Sequence, residues 1–309
     1  MIKDIIVLII GFVLLIKGAD FFVAGASGIA EKFRIPPIII GLTIVAFGTS
    51  APEAAISISA GLKGSAGISI GNVLGSNIMN VLLILGITAC IVPLKVELQT
   101  VRFDIPFTIF ISVVLVLSGA LTGELDLISG LIFWALFIFF LVRLFRQAVA
   151  QRENERVCPH KQQPAWILIL VTLAGLAAVA WGSNLTVDSA TAIAENMGMS
   201  DRLIGLTIVA FGTSLPELVT SVTAARKNQA DIAIGNIVGS NIFNILFVLG
   251  TTALITPVPY TSRFIVDGVI CVAVMVLLWL CVFKTKELKR WGGILFLACY
   301  CTYFIWLNF

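Results

Sequence analysis

Apolar residues fill this chain in runs of about 20, each closed by a short polar, glycine or proline break. That is the length a helix needs to cross a hydrocarbon layer roughly 30 Å thick. Reading the runs between breaks predicts ten spans, over 4–29, 36–62, 68–92, 104–122, 126–147, 165–194, 202–225, 231–255, 264–283 and 290–308. One segment stands out as polar, 148–164, which holds Arg152, Glu153, Glu155, Arg156, His160 and Lys161. The pattern describes an all-α membrane protein with one short linker at its middle.

Composition strengthens that reading. Hydrophobic residues make up 59% of the 309 positions and charged residues 12%, about half the roughly 25% usual in soluble domains. The first run could be mistaken for a cleaved signal peptide, since Ala24-Gly25-Ala26 imitates a cleavage site. Lys17 and Asp20 interrupt it, however, and the same stretch recurs later in the chain, so it is read as the first span. With the N-terminus outside, 15 of the 20 Lys and Arg fall in inside segments, and Lys3, Lys63, Arg202 and Arg263 fall outside. Positive charge gathers on the cytoplasmic side of membrane proteins, which puts both termini outside and the linker 148–164 in the cytoplasm.

The net charge of +3 and the lack of a basic block interleaved with aromatics argue against a nucleic-acid partner. Five of the six cysteines lie in apolar runs without paired spacing, and Cys158 with His160 supplies too few ligands for a structural metal site. With no histidine in any span and no nucleophile–base pair, an enzyme is not expected. The surroundings implied are the lipid bilayer of a cell membrane, and oligomeric state is not legible.

Searching for self-similarity gives the strongest signal. Residues 41–53 (GLTIVAFGTSAPE) recur at 205–217 (GLTIVAFGTSLPE) with one difference, Ala51 against Leu215, at an offset of 164. At the same offset, 71–80 (GNVLGSNIMN) matches 235–244 (GNIVGSNIFN) at seven of ten positions. The repeats are 1–147 and 165–309, each with five spans. An odd number turns the second copy upside down relative to the first, an architecture of secondary transporters with the binding site where the copies meet.

The repeated residues suit cations. Pro52 has no N–H for the Gly48 carbonyl and disfavours helix at Ala51, so carbonyls from Ala46 to Thr49 are expected to lose helical partners. Such broken backbone is tolerated within a membrane only when buried in protein or lining a cavity. Glu53 follows at once, and intramembrane carboxylates point to function. If helix continues through the proline, Thr49 and Glu53 share a face. Ala210, Thr213, Ser214, Pro216 and Glu217 repeat the arrangement. On the next span Asn72, Ser76 and Asn80 step by four, as do Asn236, Ser240 and Asn244, while Gly71/Gly75 and Gly235/Gly239 allow close helix approach. A lone proline is often only a kink, and a lone Ser or Asn only glue between helices. The whole set occurring twice at identical spacing favours an ion site of hard oxygens, the ligands of calcium rather than of zinc or copper.

The duplicated GTSxPE and GSNxxN motifs resemble the α-repeats of sodium/calcium exchangers, in the calcium/cation antiporter superfamily. The likeness covers essentially the whole chain, and the short linker is similar to that of prokaryotic members. It implies Ca²⁺/Na⁺ antiport by alternating access, no cofactor beyond the transported ions, and first and sixth spans that slide across the core. It also implies site residues. Glu53 and Glu217, with the carbonyls of Thr49 and Thr213, would hold calcium. The carbonyls of Ala46 and Ala210, with Ser50, Ser214, Ser76 and Ser240, would hold sodium around a central Asn80. Asn244 departs from the family, which often carries aspartate there, so the central charge is −2 rather than −3. That leaves H⁺ open beside Na⁺ as the coupling ion, and other divalent cations as substrates. A passive cation channel is the remote alternative.

Other polar residues in the spans draw less. Lys17 and Asp20, three apart, read as a helix-surface ion pair; Asp188 has no acidic counterpart at Ala24; and the sequon at Asn184 lies within a span, where glycosylation is improbable.

Overall fold

The computed structural model describes residues 2–152, 163–197 and 210–308. Most of the linker, including Cys158 and His160, and the first part of the predicted span 202–225 lie outside the described residues. The helices are α1 (Ile2–Phe33), α2 (Pro37–Thr49), α3 (Ala51–Leu62), α4 (Ala66–Ile91), α5 (Thr100–Thr122) and α6 (Leu127–Arg152). After the linker come α7 (Ala165–Asn196), the single turn α8 (Ala210–Gly212), α9 (Leu215–Arg226), α10 (Ala230–Ile255), α11 (Ser262–Phe283) and α12 (Arg290–Asn308). Among the described residues eight helices are long and apolar enough to cross a membrane, or nine if the pair α2–α3, bent by 52°, is counted as one span.

Local chemistry sets these limits. Pro37, Pro52 and Pro216 each sit in the first turn of a helix, where a missing N–H leaves no hydrogen bond unmade. The α5 helix stops at Gly123, whose φ of +76° is the left-handed conformation that glycine adopts without a Cβ penalty.

Burial orders the bundle. In α10, 94% of the apolar window is buried and in α4 72%, against 39% or less in the other long helices. These two helices therefore form the centre, and the rest shield them from lipid. The longest, α1 and α7, have 32 residues each, roughly 48 Å at about 1.5 Å per residue. That exceeds the roughly 30 Å hydrocarbon thickness, so each is long enough to cross even at a tilt. They pack antiparallel over their length, with Gly18 against Val179 and Gly175 against Phe22. A Cβ at Gly175 would fall 2.4 Å from the Phe22 backbone nitrogen, so only glycine permits this approach.

Two short antiparallel strand pairs join the halves crosswise. Leu94–Lys95 (β1) pairs with Glu287–Leu288 (β4), and Glu124–Leu125 (β2) with Val258–Pro259 (β3). The expected ion pair between Lys17 and Asp20 is not formed. Asp20 accepts instead from Lys227, whose Nζ lies 3.1 Å from Asp20 Oδ1 and 2.7 Å from its carbonyl. The lysine at the end of α9 reaches α1 across the interface, a contact that spacing along one helix does not reveal.

Candidate ion-binding site

The site begins at two helix breaks. Ser50 (φ −85°, ψ 6°) separates α2 from α3, and Ser214 (φ −93°, ψ 4°) precedes α9. Helix does not run through Pro52 as a kink; a new helix starts there, so Thr49 and Glu53 belong to different helices. Glu53 and Glu217 each occupy the first turn of the new helix, where the helix dipole favours a carboxylate. Both are 1% exposed. The carbonyl end of α2 converges on the same break, and helix C-termini favour cations.

Hydrogen bonds across the repeats draw the pieces together. Ser50 Oγ donates to Glu217 Oε1 at 2.8 Å, and Thr49 Oγ1 donates to Asn236 Oδ1 at 3.0 Å. Asn236 Nδ2 donates to Ser221 Oγ at 2.9 Å and to the Glu217 carbonyl at 3.4 Å. Asn72 repeats this in the first half, donating to Ser57 Oγ at 2.9 Å and to the Glu53 carbonyl at 3.3 Å. Each asparagine thus fastens the glutamate-bearing helix to the central helix beside it.

A second set links α4 to α10. Asn77 Nδ2 donates to the Asn241 carbonyl and Asn241 Nδ2 to the Asn77 carbonyl, both at 3.3 Å. Asn80 Nδ2 donates to Asn241 Oδ1 at 3.0 Å, and Asn244 Nδ2 to Asn77 Oδ1 at 3.2 Å. The amide groups of Asn80 and Asn244 are committed as donors, which leaves their Oδ1 atoms to face elsewhere. Both residues also open a π-helical turn, Asn80–Leu85 and Asn244–Leu249, a local widening that recurs at functional sites.

Among the described residues twelve buried side-chain polar atoms have no hydrogen-bond partner, and six of them are oxygens of the duplicated motifs. They are Glu53 Oε2, Glu217 Oε2, Ser214 Oγ, Ser240 Oγ, Asn80 Oδ1 and Asn244 Oδ1. An orphaned buried acceptor costs about 1–3 kcal/mol. Six on the duplicated motifs make a set of hard oxygen donors with a formal charge of −2, a chemistry that suits one divalent cation or several sodium ions.

Not every expected residue behaves as the sequence suggests. The Ala46 carbonyl keeps a helical donor, the Ser50 N–H at 3.0 Å, because helix persists to Thr49 and breaks only at Ser50. The second repeat differs: the Ser214 amide takes the Phe211 carbonyl at 3.2 Å instead. Ser76 Oγ donates to the Asn72 carbonyl at 2.7 Å, with its lone pairs still available as a ligand. Asn77 and Asn241 were missed, although both lie inside the repeated GSN, because they sit one position off the face traced by steps of four. Thr220, one turn after Glu217 with an unpartnered Oγ1, was also missed, and its counterpart Ile56 gives no duplicated signal.

The chain resembles known proteins over nearly its full length. The family model described as sodium/calcium exchanger protein matches residues 3–146 and 167–309. The putative antiporter CaxA of Alkalimonas amylolytica is 43% identical over 82% of this chain and 81% of its own. The inner membrane protein YrbG of Escherichia coli is 40% identical over 81% and 79%, and the sodium/calcium exchanger MaX1 of Methanosarcina acetivorans 34% identical over 98% and 97%. Among solved structures, the sodium-calcium exchanger NCX_Mj soaked without Na⁺ and Ca²⁺ superposes with a TM-score of 0.86, at 34% identity over 99% of both chains. The same exchanger soaked with Na⁺ and Ca²⁺ superposes with a TM-score of 0.85.

Proposed function

The chain belongs to the sodium/calcium exchanger protein family, and on that premise we propose that it exchanges Ca²⁺ for Na⁺ across a cell membrane by alternating access. The observation that carries this is the set of six unpartnered, buried oxygens on motifs that occur twice. Glu53 and Glu217, with the carbonyls of Thr49 and Thr213, hold calcium. Ser50, Ser76, Ser214 and Ser240, with the carbonyls of Ala46 and Ala210, hold sodium, and the Oδ1 atoms of Asn80 and Asn244 lie between. Two carboxylates neutralise one Ca²⁺; three Na⁺ in the same site leave one net positive charge, so 3:1 exchange moves charge.

The architecture that serves this has ten spans in two inverted repeats, 1–147 and 165–309, with both termini outside and 148–164 in the cytoplasm. The positive-inside count and the crosswise strand pairs support it. Asn80 and Asn244 are both amides, their donors tied to neighbouring asparagines, so the charge at the centre is −2 rather than −3, and that keeps proton coupling as the second reading. Calcium uptake into sodium-loaded vesicles, with pH clamped, separates the two. Uptake that requires the outward sodium gradient and grows with inside-positive potential supports sodium exchange. Uptake indifferent to sodium and driven by a pH gradient overturns it.

A further inference from the structure

A cavity of about 560 Å³ lies between α7 and the two helix breaks, lined by Gly48 and Pro52 of the first break and by Gly212 and Thr213 of the second. Its α7 wall is a stripe at helical spacing from Leu173 to Asp188. That stripe is distinct from the face holding Thr172, Gly175, Val179 and Gly182, which packs on α1. Ser183 Oγ donates to the Gly212 carbonyl at 3.0 Å and anchors α7 to the second break. Asp188 is the one ionisable side chain among the lining residues, one turn beyond Asn184; both are exposed, and Asp188 is in no ion pair among the described residues.

The corresponding side of α1 is packed. There α1 packs directly on α9, with Leu15 and Ala19 clustered against Leu215 and its neighbour Leu218. The position equivalent to Asn184 is Asp20, whose charge is matched by Lys227. Among the described residues, the acid without an ion pair therefore stands on the side of the cavity. Asp188 is five residues from Ser183, about 7–8 Å along the helix, at the mouth rather than among the ligands.

We propose that Asp188 is a cation-recruiting residue at the mouth of the ion-access vestibule, raising the local concentration of the transported cation without coordinating it in the site. The inference rests on the cation-transport reading above. A carboxylate set in an otherwise uncharged cleft focuses field into it. At about 10 Å with water-like screening, one unit charge changes the local concentration of a divalent cation about four-fold and of a monovalent cation about two-fold. The effect must fade with salt, unlike that of a coordinating group.

The test compares the full-length protein with Asp188→Asn and Asp188→Glu in vesicles, as initial ⁴⁵Ca²⁺ uptake against Ca²⁺ concentration at low and high choline chloride. Asp188→Asn is expected to raise the apparent KM about four-fold at low ionic strength, with maximal velocity unchanged and the difference lost at high salt. Asp188→Glu should retain the wild-type KM. A wild-type KM for Asp188→Asn at low salt overturns the proposal, as does a loss of maximal velocity or a KM change that ignores salt. Should wild-type uptake follow a proton rather than a sodium gradient, the exchange assignment fails, and the KM comparison is read on that gradient with the same criteria.

Discussion

Asn241 is not a ligand in the proposed site, yet the structure makes it responsible for how Asn80 points. Replacing it with alanine removes the acceptor of the Asn80 amide and the donor to the Asn77 carbonyl. Two unsatisfied buried groups would cost about 2–6 kcal/mol by soluble-protein measures. Membrane proteins show less, about 0.6 and at most about 1.7 kcal/mol per interhelical bond, because the unfolded chain in lipid also finds partners. Two bonds then give about 1–3 kcal/mol, a loss measurable as earlier aggregation on heating in detergent. The functional effect is sharper. With its amide released, Asn80 no longer holds Oδ1 in one direction, and calcium affinity falls. If Asn241 acts only through Asn80, Asn80→Ala and Asn80→Ala/Asn241→Ala must have the same apparent KM for Ca²⁺, a non-additivity that a double-mutant cycle reads directly. Additive losses, or Asn241→Ala with wild-type stability and KM, would refute the reasoning.

Glu53→Gln and Glu217→Gln should each reduce calcium uptake at least about a hundred-fold, since loss of one buried charge exceeds the 2.7 kcal/mol that factor represents; monodisperse protein with normal uptake would discard the ligand assignment. Gly175→Ala places a Cβ 2.4 Å from the Phe22 backbone, and overpacking of that kind should destabilise by about 1–3 kcal/mol in a detergent melting assay. Burial, with Asp231 and Asp104 nearby, pushes the Glu97 carboxyl, outside the spans, up to about 7. The folded state then holds a proton between roughly pH 4.5 and 7 that the unfolded chain has released, so the contribution is present below pH 4.5 and lost as pH rises through 7. Glu97→Gln should flatten the fall in melting temperature between pH 5 and 8.

The apolar helices and the paired motifs were legible because both are written twice. Runs of apolar residues mark the helices, and the offset of 164 identifies Glu53/Glu217 and Asn80/Asn244 as pairs. What escaped depends on contacts between distant residues. Periodicity along α1 pointed Asp20 at Lys17, whereas its partner Lys227 is 207 positions away. Counting by fours picked out Asn72, Ser76 and Asn80 and passed over Asn77, whose role exists only because Asn241 faces it. Whether Pro52 bends a helix or begins one turns on the backbone at Ser50, and local propensity does not decide that.

The crossed strand pairs bear on how the protein is made. Each clasp joins a segment synthesised early to one synthesised much later: Leu94 must wait for Leu288, and Leu125 for Val258. Asn77 and Asn80 of α4 likewise find their partners on α10. Those amides of the first half are satisfied by the second half, which is made later. In the finished structure each half is thus held by contacts that only the other half supplies.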